Sequence, residues 1–132
     1  MATCFVSLPP GSQFDGYYKQ ILSPASTRAG LEPVRAQAIG SPHAFEQIWI
    51  GLHTAAACLV DLTGLNINVL YVLGLAHAWD KPLVQIVQST EELPFDLKFT
   101  PHILYRPGAA RWEDMFKMQV QAALREFAQP SV

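Results

Sequence analysis

The sequence predicts an α/β protein in which a doubly wound sheet of about five mainly parallel strands carries helices on both faces. Apolar runs of strand length alternate with longer segments of helical spacing, and one of these runs is apolar almost to its end. Such a continuous run is typical of a parallel strand that is covered on both faces. A chain of 132 residues, 50% of them hydrophobic, fits a single domain over 1–132.

Five segments have the composition of strands: TCFVSL (3–8), GLEPV (30–34), ACLVDL (57–62), PLVQIV (82–87) and HILY (102–105). The first is followed by Pro9-Pro10-Gly11, which can continue neither a ladder nor a helix. Pro33 removes a ladder donor from the second, which predicts an edge strand. The third is closed by Asp61 and predicts a strand near the centre, together with the fourth.

Four segments have helical spacing: from about Gln13 to Leu22, from Ser41-Pro42 through Leu52, from about Asn68 to Trp79, and from Arg111 to Phe127. Pro24 limits the first helix unless a helix restarts there. Ser41-Pro42 predicts an N-cap with proline at the first helical position. We expect the apolar side chains of the last helix to face inward, namely Trp112, Met115, Phe116, Val120, Ala123, Leu124 and Phe127. The segment LPFDL (93–97) is predicted to be a connector.

Charge and cysteine usage restrict the partners. The net charge is -2 and no run of Lys or Arg occurs, which argues against nucleic acid or an anionic membrane surface and favours a small molecule or another protein. Cys4 and Cys58 sit in apolar strand-like runs, so we interpret them as reduced core residues of a cytoplasmic protein. No apolar stretch has the length of a membrane span or the flanks of a signal peptide.

Metal and cofactor motifs are not evident in the sequence. His43, His53 and His102 show no metal-ligand spacing with each other or with the cysteines, and we predict no metal site. No phosphate-loop or dinucleotide glycine pattern is present, so we predict no cofactor. The loop from Ser7 to Gly11 nevertheless follows a predicted strand, where exposed backbone N–H groups could face an anion.

Longer segments resemble a known family: FVSLPPGSQFDGYY, GLEPVRAQAI, CLVDLTGLNINVLYVLGLAHAWDKPLVQIV and LPFDL. Over about Cys4 to Tyr105 the chain resembles the nucleoside 2-deoxyribosyltransferase-like family, which is related in fold to TIR domains. The most specific piece is D-L-T-G-x-N-x-N-V-x-Y-x-L-G-x-A-H-A-x-x-K-P. The resemblance implies a flavodoxin-like fold with strand order 2-1-3-4-5, a cleft at the carboxyl ends of the strands, and a nucleoside or nucleotide as ligand.

Two positions depart from the pattern of that family. Its Y-E-L-G motif supplies the presumed catalytic glutamate, and Val72 stands in that place; its R-A-D segment reads Arg35-Ala36-Gln37 here. Cleaving an N-glycosidic bond develops positive charge on the sugar, which a carboxylate stabilises by attack or by charge. Valine can do neither, so the sequence favours a binding domain with weak or no glycosidic chemistry. Two alternatives stay open: an active glycosidase or deoxyribosyltransferase, and a structural or assembly module.

An active enzyme would need another carboxylate. Asp61 is the first candidate, and Glu46, Asp15 or a carboxylate from a neighbouring subunit are the others. Asp61 also fits a purely local role, because a carboxylate in a tight turn often bonds the backbone of that turn.

We expect the ligand-binding side chains to converge near the carboxyl ends of the strands, close to Val72: Ser7, Pro10, Gly11, Arg35, Gln37, Asp61, Thr63, Asn66 and Asn68. At least one of the two asparagines should instead cap the following helix. Arg35 fits either a phosphate or carboxylate ligand or a surface ion pair.

Large aromatic side chains suggest self-association. Trp49, Trp79 and Trp112 offer more aromatic surface than one small core needs, and members of the family that the chain resembles commonly assemble. We therefore expect a homo-oligomer.

Overall fold

The strands form one parallel sheet. In a computed structural model, which describes residues 1–36 and 43–128, the strands are β1 (Thr3–Ser7), β2 (Glu32–Arg35), β3 (Ala57–Asp61), β4 (Leu83–Val87) and β5 (Ile103–Leu104). Every pairing is parallel and the order is β2-β1-β3-β4-β5, which confirms the predicted flavodoxin-like fold. β3 lies at the centre and is buried at all of its positions, whereas the strand with Pro33 lies at an edge.

The helices surround this sheet. They are α1 (Ser12–Tyr17), α2 (Ser23–Ala29), α3 (Ala44–Thr54), α4 (Ile67–Ala78), α5 (Phe95–Lys98) and α6 (Trp112–Ala128). A π-helical turn over Tyr18–Leu22 joins α1 to α2, so the chain stays helical past Pro24. Proline is tolerated there because it lies in the first turn of α2. Gly30 then ends α2 with a φ of 94°, a left-handed conformation that favours glycine.

The structure differs from two local predictions, and a third falls on residues that it does not describe. The residue at the N-cap of α3 is His43, and the predicted cap at Ser41-Pro42 lies outside the described residues. The segment predicted as a connector contains the short helix α5. The prediction that Met115 faces inward was wrong, because this residue is 59% exposed. It lies about 100° around α6 from Phe116, at the edge of the apolar stripe. Phe116, Val120 and Leu124 are buried as expected.

Alternate residues of the strands build two cores, one on each face of the sheet. Cys4 and Val6 pack with residues of α2 and α6, while Phe5 packs on the opposite face with residues of α3 and α4. The two cysteines are free and buried, as predicted. Burial raises the pKa of the Cys4 thiol to about 12, so this group stays protonated and unreactive near neutral pH. Among the helices that the structure describes, none is long and apolar enough to cross a lipid bilayer.

Candidate ligand cavity

A cavity of about 490 Å³ opens at the carboxyl ends of β1 and β2. Its volume lies within the range of pockets that hold small molecules, roughly 300–1,000 Å³. Seven of the sequence-predicted residues line it: Ser7, Pro10, Gly11, Arg35, Asn66, Asn68 and Val72. Four further residues line it. Leu8 belongs to the predicted Ser7–Gly11 loop and Asp15 was a candidate catalytic carboxylate, whereas Ala36 and Ile48 were not predicted in a binding site.

Parallel pairing of β1 with β2 brings Ser7 and Arg35 together. Ser7 and Arg35 are the last residues of β1 and β2, and Val6 is in register with Arg35. The Ala36 N–H donates to the Val6 carbonyl at 2.7 Å, which holds the two strand ends side by side. The loop then turns into α1 at Gly11, whose φ of 127° is strained for residues with a side chain.

The two asparagines have different roles. Asn66 is the N-cap of α4, and its Oδ1 accepts hydrogen bonds from the Asn68 N–H at 2.9 Å and the Val69 N–H at 3.2 Å. This confirms the prediction that at least one asparagine caps the helix. The exposed Asn68 side chain makes no hydrogen bond within the described part of the chain, so its amide is free to meet a ligand.

Val72 forms part of the apolar wall. It lies on α4, is 1% exposed, and belongs to the core between the sheet and the helices α3 and α4. Ile48 of α3 belongs to the same core and also lines the cavity. Position 72 therefore borders this space with a buried and uncharged side chain.

Asp61 and Thr63 do not line the cavity. Asp61 is 1% exposed, and its Oδ1 accepts hydrogen bonds from the Thr63 N–H at 2.9 Å and the Thr63 hydroxyl at 2.6 Å. Its Oδ2 accepts a hydrogen bond from the Tyr105 hydroxyl. The local turn-capping role that the sequence offered for Asp61 is thus present in the structure.

Gln88 completes this buried network. Its backbone N–H donates to the Thr63 hydroxyl at 3.1 Å, and its side-chain amide donates to the Tyr105 hydroxyl at 3.2 Å. The network ties together the segments that follow β3, β4 and β5. Desolvation raises the pKa of the Asp61 carboxyl, and the hydrogen bonds from Thr63 and Tyr105 oppose that rise.

An ion pair supplies the charges of the cavity. Arg35 Nη1 lies 2.7 Å from Asp15 Oδ1, and the Arg35 guanidinium carbon lies 5.4 Å from the centre of the Tyr18 ring. Both residues are candidates in the sequence, but their pairing could not be predicted, because most of α1, the π-helical turn and α2 separate them along the chain. The only available signal was the position of Asp15 in the first turn of α1.

One of the other candidate residues lies outside the cavity, and another lies outside the described residues. Glu46 is exposed on α3 and does not line the cavity; one of its carboxylate oxygens is 3.6 Å from His43 Nδ1. Gln37 lies outside the described residues. Over residues 1–36 and 43–128, no group of three or more His, Cys, Asp or Glu residues is arranged to hold a metal ion.

Comparison with solved structures gives the fold alone. The TIR domain of the Toll-related receptor TRR-2 from Hydra magnipapillata matches with a TM-score of 0.69 at 15% identity, over 95% of this chain and 99% of that domain. The Vibrio vulnificus NanR protein, in a complex with ManNAc-6P, matches at 0.52 and 18% identity, over 96% of this chain and 48% of NanR. No protein-family model matches the sequence. No curated protein matches it significantly.

Proposed function

We propose that this chain is a nucleoside- or nucleotide-binding domain with weak or no ability to cleave N-glycosidic bonds. The observation that carries the proposal is the cavity at the carboxyl ends of the strands, which is lined by Val72 where the resembling family carries its glutamate. Ligands of open α/β sheets bind at this edge.

The lining matches the two halves of a nucleoside. Leu8 and the mostly buried side chains of Ile48 and Val72 form an apolar wall suited to a base. Asn68, Asp15 and Arg35 offer an amide, a carboxylate and a guanidinium for sugar hydroxyls or a phosphate. A site of this composition can bind a nucleoside in its ground state without any carboxylate at the anomeric carbon.

Weak cleavage of N-glycosidic bonds is expected from the positions of the carboxylates. A group that acts mainly on the transition state can be lost with a larger effect on turnover than on binding. Asp15 lies on α1 and not on α4, which carries Val72, and both oxygens of Asp61 already accept hydrogen bonds beneath the surface. Neither carboxylate replaces the missing glutamate at position 72.

The binding test is thermal unfolding with nucleosides, deoxynucleosides, their 5′-monophosphates and nicotinamide dinucleotide, followed by calorimetric titration. A ligand at 100 times its Kd stabilises the native state by about 2.7 kcal/mol, a readily measured rise in Tm. If none of these compounds raises Tm, nucleoside binding is wrong and the structural or assembly alternative is favoured.

The chemical test restores the carboxylate. We expect Val72→Glu, alone or with Gln37→Asp, to raise the release of free base from deoxynucleosides and of nicotinamide from the dinucleotide. Val72→Gln is the matched control, because it restores the shape without the charge and should stay at the low activity of the unaltered chain. All variants are compared at equal folded fraction, measured by circular dichroism.

Robust turnover by the unaltered chain would contradict weak chemistry and support the alternative of an active glycosidase or deoxyribosyltransferase. Asp61→Asn and Asp15→Asn would then identify the carboxylate, since only the catalytic one should lower turnover while leaving ligand affinity near its original value.

A further inference from the structure

We propose that Asp15 and Arg35 form an exchangeable pair, in which the phosphate of a phosphorylated ligand replaces the Asp15 carboxylate on the Arg35 guanidinium. The inference rests on the proposed binding function of the same cavity and narrows its ligand to nucleotides over free nucleosides. It assigns Arg35 the contact to the phosphate, and Asp15 the role of an internal competitor that limits the preference for phosphorylated ligands.

Arg35 is the fixed member of the pair. It ends β2, its side chain is only 29% exposed, and its guanidinium lies over the Tyr18 ring. Such packing is worth more when the cation is partly desolvated. The guanidinium is therefore already placed at the cavity before any ligand arrives.

Asp15 is the removable member. Its side chain is 61% exposed, its Oδ1 lies 2.7 Å from Arg35 Nη1, and within the described residues Arg35 is the only partner of its carboxylate. Ion pairs that are this exposed contribute little to stability, so breaking this one costs little. A modest rotation of the Asp15 side chain would leave the guanidinium open to the cavity.

Arg35 also has donors to spare. A guanidinium carries five N–H groups in a planar fork, which is more than the Asp15 carboxylate can occupy. A phosphate monoester carries about -1.5 to -2 charges at pH 7 and can accept two parallel hydrogen bonds from the fork. Because of this higher charge, the phosphate displaces the exposed Asp15 carboxylate from the guanidinium.

The charge balance gives the pair a selective effect. Of the residues that line the described cavity, Arg35 and Asp15 are the ionisable ones, so the lining is close to neutral while they are paired. A phosphorylated ligand must displace Asp15 and then lie near its carboxylate. A neutral nucleoside meets no such competition, so the removal of Asp15 should affect the two ligand classes differently.

The experiment measures the affinity of ribose 5-phosphate against ribose, and of each nucleoside 5′-monophosphate against its nucleoside, by calorimetric titration. The variants are Asp15→Asn and Arg35→Gln. Glu92→Gln is the matched control, because Glu92 is an exposed carboxylate outside the cavity whose removal changes the net charge by the same amount.

We expect Asp15→Asn to bind the phosphorylated ligands about three- to tenfold more tightly, with the neutral ligands within about twofold of the unaltered chain. Arg35→Gln should weaken the phosphorylated ligands by about tenfold or more, since it removes a charged hydrogen bond. Glu92→Gln should match the unaltered chain. In the unaltered chain, added KCl should reduce the preference for phosphorylated ligands, which tests the electrostatic origin without any variant.

The outcomes separate the inference from the proposed function. If nucleosides bind but their monophosphates bind no better after Asp15→Asn, the inference is overturned and the proposed function stands. If ribose 5-phosphate binds with the expected dependence on both residues while no nucleoside or nucleotide does, the exchange stands and the proposed function fails. If ribose 5-phosphate binds neither the unaltered chain nor Asp15→Asn, the inference is overturned.

Discussion

Asp61 is a carboxylate that the fold has removed from water. It is 1% exposed, and its charge is compensated by hydrogen bonds that the Thr63 backbone, the Thr63 hydroxyl and the Tyr105 hydroxyl donate. Desolvation still outweighs these bonds and raises the pKa of the carboxyl above its ordinary value. The residue that the sequence suggested first for catalysis thus carries a cost that depends on pH.

This cost gives a prediction for stability against pH. Because the pKa of Asp61 is higher in the folded than in the unfolded state, its stabilising contribution is complete below the unfolded value and is lost as pH rises through the folded value. We expect the free energy of unfolding of the unaltered chain, minus that of Asp61→Asn, to be larger at pH 4 than at pH 7. Urea unfolding at a series of pH values measures this difference.

Asp96→Asn is the control for this series, because Asp96 is an exposed carboxylate in the first turn of α5. For Asp96→Asn, the difference in free energy of unfolding from the unaltered chain should not be larger at pH 4 than at pH 7. A difference for Asp61→Asn that shrinks as pH falls would mean that hydrogen bonding, not desolvation, dominates the Asp61 carboxyl.

Separation along the chain decides which residue roles could be predicted from the sequence. Asp61 bonds Thr63 two residues away, and Asn66 caps the N–H groups of Asn68 and Val69, so turn and cap chemistry gave these roles locally. The bond from Tyr105 to Asp61 spans 44 positions. Neither it nor the Asp15–Arg35 pair follows from spacing, because both depend on how separate elements pack.

At the scale of elements, two glycines in helices have opposite surroundings. A Cβ added at Gly51 of α3 would lie 2.7 Å from Cε1 of Phe5, whereas one added at Gly74 of α4 would meet nothing within 4 Å. Phe5 is a buried ring of β1 and cannot easily move aside. Gly51 is therefore required by the close approach of α3 to the sheet, and Gly74 is not required by packing within this chain.

We expect Gly51→Ala to lower the free energy of unfolding by up to about 2 kcal/mol, because a steric cost of about 1–3 kcal/mol offsets or exceeds the gain of about 1 kcal/mol in helix propensity. Gly74→Ala is the matched control and should raise stability by roughly 0.5–1 kcal/mol. Urea unfolding at pH 7 compares the two. Equal stabilisation by both substitutions would contradict the close packing of α3 against Phe5.

The types of the helices and strands could be predicted because their hydrophobic patterns are strong. How these elements pack could not be predicted from the same patterns. The apolar run that became β3 and the proline in β2 placed a central and an edge strand correctly. The helical path through Pro24 depends on a π-helical turn, and the exposure of Met115 depends on how much of the apolar stripe of α6 the core covers. Both depend on tertiary contacts, which the hydrophobic pattern does not contain.

At the scale of the whole molecule, topology creates the cavity. All five strands run parallel, so their carboxyl ends share one edge, and residues from β1, β2 and the start of α4 meet there. The sequence could predict this convergence for seven residues, since it depends only on strand direction and order. It could not exclude Asp61 and Thr63, whose side chains turn into a buried network at the same edge.

The exposed aromatic surface bears on assembly, which stays a prediction. Trp112 packs against the core, but Trp49 of α3 is 46% exposed and Trp79, which follows α4, is 38% exposed. The Trp49 indole N–H donates to the Tyr71 hydroxyl at 2.8 Å, and Phe45 packs edge-on against the Tyr71 ring, so this surface is ordered across both helices.

We expect the domain to form a homo-oligomer through this α3–α4 surface, because burying large aromatic side chains between copies gains hydrophobic free energy at about 25 cal/mol per Å². Ile50 is 65% exposed on α3, and Ile50→Asp would place a charge within such an interface. Light scattering during size-exclusion chromatography should give a multiple of the chain mass for the unaltered protein and a monomer for Ile50→Asp. Met118→Asp is the control, since Met118 is 70% exposed on the separate helix α6 and should leave the oligomer intact. A monomer at the highest attainable concentration rules out self-association, and dissociation by Met118→Asp alone would place the interface on α6.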